Sequence, residues 1–299
     1  MQIYSENMYL LRNYYAMARA FEYNREYLEF NSEKGIDNFD VILNSLYYHV
    51  DSEEMDFNSF GDSIIGKLYT FNIMTNILGD EFRSEISKFI SLTQWYESKE
   101  NHHEGLIYHS GGALDEQLAL SHFRIANIEK SIGAVTASHE YVHGLLLSKT
   151  GPYLNKYFGS IHYYELPSML MEKIFANKLV SITNDEVDFK MTIIRNGASA
   201  CNAMEIIEKM NKEEDPDEEV EHLNRFIGHL NYGYVISDVY ATYLYRIYLE
   251  NPILFLQSYR TLISGDINLL DYFKKYNVSL ANDEVKDTYV KSLELKVNH

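Results

Sequence analysis

His139-Glu140-Tyr141-Val142-His143 is the stretch on which the reading of this chain turns. Ala134 and Val135 precede it, Leu145 and Leu146 follow it, and from Leu118 to Ser148 apolar residues recur every three to four positions, which predicts a helix. Residues four apart on a helix lie one above the other. His139 and His143 can therefore offer both imidazoles to one ion, with Glu140 turned beside it. With 11 His and 28 Glu among 299 residues, such a pattern arises by chance only about 0.04 times in a chain of this length. On so apolar a helix, imidazoles without partners would be costly.

A hydrolytic zinc site needs a third protein ligand and an open position for water. The helix at His143 is predicted to stop at Thr150-Gly151-Pro152, and a second helix to open at Glu165 or Leu166, with Pro167 in its first turn, and to run to Val180. Glu165, 22 residues beyond His143, is then carried back towards the first helix as the third ligand. Glu172 follows two turns later on the same face. It can accept the free N–H of His139 or His143; by spacing alone it is as readily an exposed helix carboxylate.

Working outward, helical periods cover Tyr4 to Phe30, Asp40 to His49, Ile64 to Ile77 and Glu81 to Glu100. Gly105 to Gly112 breaks the pattern and is the best candidate strand: either an edge on which an extended peptide lies, with Gly111 and Gly112 letting its backbone approach, or an ordinary turn. His102, His103 and His109 lack ligand spacing and read as solvated or capping residues. Residues 212–221 form an acidic loop leading into a helix over Glu221 to Glu250, broken at Gly228 and Gly233, and Pro252 opens two or three short helices. The expected fold is mainly α-helical with a small β element beside the cleft. Residues 1–103 form a helical N-terminal part and 104–299 the catalytic part, together one compact unit.

Composition narrows the partners. Charged side chains number 26 Lys+Arg against 44 Asp+Glu, a net charge of −18, which opposes nucleic acid and anionic membranes and favours basic peptides. Cys201 is the only cysteine, so neither an internal disulfide nor a four-cysteine zinc site can form, and a metal is expected on His and carboxylate. No apolar run reaches membrane-spanning length and no export signal is apparent near Met1, so a cytoplasmic location is expected.

The pair His139-Glu140-Tyr141-Val142-His143 and Glu165-Leu166-Pro167-Ser168-Met169-Leu170-Met171-Glu172 resembles the paired motifs of the thimet oligopeptidase and oligoendopeptidase F family of zinc peptidases. Ala134 to Ser138 stands where that family has its lead-in to the first histidine. His229-Leu230-Asn231-Tyr232-Gly233-Tyr234 is similar to its His and Tyr segment, and Ser264-Gly265-Asp266, Leu269-Leu270 and Tyr276-Asn277-Val278 are similar to the tail of oligoendopeptidase F relatives. The resemblance runs from about Glu104 to Ser279. Departures are Val142 in place of glycine, Leu146 in place of a further histidine, Asp238 in place of tyrosine, and a chain about half the usual family length, with a shortened N-terminal lobe.

The resemblance implies zincin-type catalytic helices and one Zn²⁺ per chain on His139, His143 and Glu165, with Glu172 behind the ligands. Glu140 is then the general base on zinc-activated water. Tyr234 and His229 stabilise the oxyanion, and Tyr232 and Tyr240 lie at the substrate. Short unstructured peptides are the implied substrates, in a cleft left more open by the missing lobe or covered by the second subunit of a homodimer. Two alternatives stand beside this: a non-catalytic peptide-binding or immunity-type protein on the same fold, and coincidence in a helical interaction protein.

Overall fold

Two helices have almost no polar side, and their enclosure organises the molecule. In the computed structural model the described residues are 33–47, 57–96, 123–150, 165–184, 187–192 and 218–297. Among them the helices are α1 (Glu33–Tyr47), α2 (Ser63–Leu78), α3 (Arg83–Leu92), α4 (Ser131–Thr150), α5 (Leu166–Thr183), α6 (Val187–Thr192), α7 (Glu218–Glu250), α8 (Pro252–Ile263), α9 (Leu269–Tyr276) and α10 (Asp283–Val297). Between α3 and α4 lie two short strands, β1 (Gln94–Tyr96) and β2 (Arg124–Ala126). The fold is mainly α-helical, as expected, and none of the described helices is long and apolar enough to cross a membrane.

α4 is buried around its circumference from Gly133 to Leu146 except at Thr136, and α5 is buried continuously from Leu166 to Ala176. A helix without a polar face is stable only when other elements surround it. α4 packs against α2, α3, α5 and α8; α7 covers another side of α5; α10 packs on α7, and α1 on α10. Close approach is built into the sequence at two glycines. A Cβ on Gly66 of α2 would collide with the Ile128 carbonyl, and one on Gly144, beside His143, would stand 2.7 Å from the Phe123 ring. One apolar cluster joins residues from α1 to α10, on both sides of the expected 103/104 boundary, which itself lies outside the described residues.

Helix ends follow local chemistry. The Asp62 carboxylate accepts from the Ile64 N–H at 2.8 Å to open α2, and Asn268 accepts from the Asp271 N–H at 2.9 Å to open α9. Asn184 and Asn277, in the left-handed conformation, close α5 and α9.

Three expected boundaries are corrected. The Glu81 to Glu100 helix ends at Leu92, because β-branched Thr93 turns extended and the run that follows, with aromatic Trp95 and Tyr96, pairs in parallel with β2, Trp95 opposite Ile125. The Leu118 to Ser148 helix begins only at Ser131: β2 occupies 124–126, and Asn127 takes φ 55°, a left-handed turn that a right-handed helix cannot pass through. The breaks at Gly228 and Gly233 do not occur. α7 is continuous, since a helical glycine costs only about 1 kcal/mol and the buried run from Val235 to Leu244 outweighs it. The ranges expected for α2 and α5 agree with the structure to within three residues, and the two or three short helices expected after Pro252 are three: α8, α9 and α10. The Tyr4 to Phe30 helix and the Gly105 to Gly112 strand lie outside the described residues; the β pair found is built instead from the segments flanking 97–122.

Candidate metal centre

α4 and α5 run antiparallel. Glu165 at the start of α5 meets both His143 and His139, whereas Glu172, two turns along, pairs with His139, one turn back on α4. Glu165 occupies the position that caps α5, yet its side chain makes no capping bond. Pro167 in that first turn has no N–H, which lowers the demand for a cap. The carboxylate turns to the histidines instead.

Three ligand atoms converge: His139 Nε2, His143 Nε2 and Glu165 Oε2, with all three separations at 3.0 Å. They form the one His/Cys/Asp/Glu group suited to a metal among the described residues. Both histidines are buried, at 5% and 3% exposure. With Glu165 ionised, as its lowered pKa implies, no placement of protons satisfies all three sides of this triangle. If both Nε2 atoms carry hydrogens to donate to Glu165, the hydrogens confront each other; if only one does, the other nitrogen's lone pair faces the carboxylate's. A cation accepts from all three at once, and two imidazoles with one carboxylate form a donor set that suits zinc with an open fourth position.

Glu140, also buried, lies just outside the triangle, its Oε1 3.4 Å from His139 Nε2. On the far side of the ring, His139 Nδ1 is 3.0 Å from Glu172 Oε1, an ion-pair contact somewhat off the line of a straight N–H bond. That carboxylate favours a proton on Nδ1 and leaves Nε2 as the ligand atom. Tyr141, within the motif, shares a 2.7 Å hydrogen bond with buried Thr93 and so ties the ligand helix to the start of β1. Burial pushes the Tyr141 phenol up, against the Thr93 bond.

Without a metal the cluster holds a proton. Burial disfavours the charged His139, but Glu172, Glu140 and Glu165 outweigh it and raise its pKa to about 10. For Glu165, burial acts upward and is overcome by His143 and His139, which hold it well below the carboxylate range. Chelator-treated protein has His139-derived stability fully present below the unfolded value of 6.5 and lost as pH rises through about 10, while the Glu165 contribution is present above 4.5 and lost in acid. With zinc bound the imidazole must be neutral, so the His139 slope reverses and stability falls as pH drops through the unfolded value. Urea midpoints measured from pH 6 to 8.5 are expected to decrease with pH under chelator and increase with pH under saturating zinc. Parallel slopes would contradict this.

The remaining expected residues are placed as follows. Tyr234 is half-buried on α7, packed against the core. His229 and Tyr232 fall on α7, their side chains outside the described residues, and Gly111 and Gly112 lie outside them altogether. Tyr240 is fully buried: its hydroxyl accepts from the Leu280 N–H at 3.0 Å and its ring meets Phe273 edge-on. Six residues of helix turn Tyr240 about 120° from Tyr234, which accounts for the different surroundings of the two. Asp238, the departure from the family's tyrosine, is paired with buried Lys173 at 2.8 Å. Sequence reasoning passed over Lys173, although a lone cation in the apolar run from Leu166 to Ala176 signals a buried partner.

No family model, no curated protein and no solved structure matches the chain.

Proposed function

We propose that this protein is a zinc metallopeptidase of zincin type that cleaves short unstructured peptides. The observation that carries the reading is the triangle of His139, His143 and Glu165, which no set of protons can satisfy while Glu165 is ionised. Bound there, Zn²⁺ supplies a Lewis acid that acidifies water and polarises a peptide carbonyl. Glu140 holds a carboxylate beside that point, placed to take a proton from the attacking water and pass it to the leaving amine. Glu172 holds the His139 ring in its ligand tautomer. Tyr234 and His229 as oxyanion donors, and the kinship with thimet oligopeptidase and oligoendopeptidase F, rest on the motif resemblance.

Elemental analysis of purified protein is expected to give one zinc per chain. A quenched-fluorescence pool of acidic, neutral and basic peptides is expected to be cleaved, with activity lost to a chelator and regained with zinc. A protein that takes up no zinc overturns the metal assignment. One that holds zinc and cleaves no member of the pool overturns the peptidase assignment and leaves a metal-bearing binding protein.

A further inference from the structure

Lys173 follows Glu172 on α5, about 100° further around the helix. Glu172 faces His139, whereas the Lys173 ammonium lies 2.8 Å from Asp238 Oδ1 on α7 and 3.2 Å from Asp188 Oδ1 on α6. The Tyr289 hydroxyl on α10 donates to the other Asp238 oxygen at 2.9 Å. One buried cation thus joins four helices; Lys173 and Asp238 side chains are each 4% exposed. Burial works against the ammonium, but Asp188 and Asp238 outweigh it, so the group stays charged.

Buried ion pairs of this kind are poor sources of stability, because apolar side chains of equal volume often do better. What they add is direction. A charge-assisted contact at 2.8 Å has a defined length and angle, while apolar surfaces tolerate sliding and rotation. Rotation matters here: with Cα atoms about 2.3 Å from the helix axis and a glutamate carboxylate several ångströms further out, a turn of roughly 10° carries the carboxylate about 1 Å. That is enough to break a 3.0 Å contact.

We propose that Lys173 is a positioning residue of the metal centre: its pairs with Asp238 and Asp188 set the rotation of α5, and so keep Glu172 on His139 and Glu165 on the two imidazoles. This inference rests on the zinc reading above, and it assigns a role to side chains that touch neither metal nor substrate.

The test separates positioning from bulk stability. Full-length wild type, the double variant Lys173→Met/Asp238→Leu and the single variant Tyr289→Phe are compared by thermal midpoint, by zinc affinity in competition with a chromogenic chelator, and by the visible spectrum of the Co²⁺-loaded protein. The double variant removes both buried charges at similar volume. It is expected to melt within a few degrees of wild type, yet to bind zinc roughly 10–100-fold more weakly and to show an altered Co²⁺ band, as when a group behind a metal ligand is lost. Tyr289→Phe removes only one donor at the far end of the network and is expected to weaken zinc binding a few-fold. A folded double variant with wild-type zinc affinity and Co²⁺ spectrum overturns the inference alone. Should that variant not fold, unchanged affinity in Tyr289→Phe overturns it. A wild type that binds neither metal overturns this inference together with the zinc reading.

Discussion

Glu140→Gln is expected to remove peptide cleavage and leave the zinc in place. The glutamate carboxylate stands 3.4 Å from His139 Nε2, outside the 3.0 Å triangle, so an amide of the same size changes proton chemistry rather than the ligand set. General-base catalysis typically contributes 10²- to 10⁴-fold, about 3 to 5 kcal/mol of barrier, and kcat/KM should fall by at least that much. Zinc content should stay at the wild-type level. A second consequence is peculiar to this cluster. Because Glu140 is among the carboxylates that raise His139, the glutamine variant should lower the His139 pKa in chelator-treated protein, observable by NMR titration of the imidazole. Retention of a tenth or more of wild-type kcat/KM would exclude Glu140 as the base.

His143→Ala should have the larger physical effect, because it removes a corner of the triangle. Loss of a group behind a metal ligand already costs roughly 10–100-fold in affinity, and loss of a ligand itself costs more, so zinc should fall from one per chain towards none. A metal that binds the folded state only, at 1,000 times its dissociation constant, stabilises by about 4 kcal/mol. For a protein of this size that corresponds to a melting shift on the order of 10 °C. The wild type should show a shift of that order between zinc and chelator, and the alanine variant almost none. Glu165 also loses the neighbour that does most to hold its carboxyl down, so in the variant that carboxyl should titrate closer to the ordinary range. An undiminished zinc-dependent shift in His143→Ala would show that the metal sits elsewhere.

Local sequence carried much of the site. His139 and His143 are four apart, and no helix can put them on different faces. The Gly-Pro stop and Pro167 bracket a connection after which Glu165 returns to the pair. Elsewhere local pattern misled. Glu81 to Glu100 has a helical period throughout, yet Gln94-Trp95-Tyr96 lies in a strand, because a pairing partner 30 residues away competes for the same backbone bonds. Arg124 to Ala126, inside the expected Leu118 to Ser148 helix, fails for the same reason. Gly228 and Gly233 carry a local penalty that α7 overrides by burial.

By itself, then, the sequence determined a mainly helical chain with two imidazoles and a carboxylate on one helix and a further carboxylate at the start of the next. These are consequences of spacing along a chain with a 3.6-residue period. Tertiary structure alone decided that three ligand atoms close to 3.0 Å of one another, that Glu172 pairs with His139, that Tyr240 belongs to the core, and that Lys173 is sealed between Asp238 and Asp188. Each depends on how one helix is rotated and shifted against another. That is set by the summed packing of side chains far apart in sequence, and no local period encodes it.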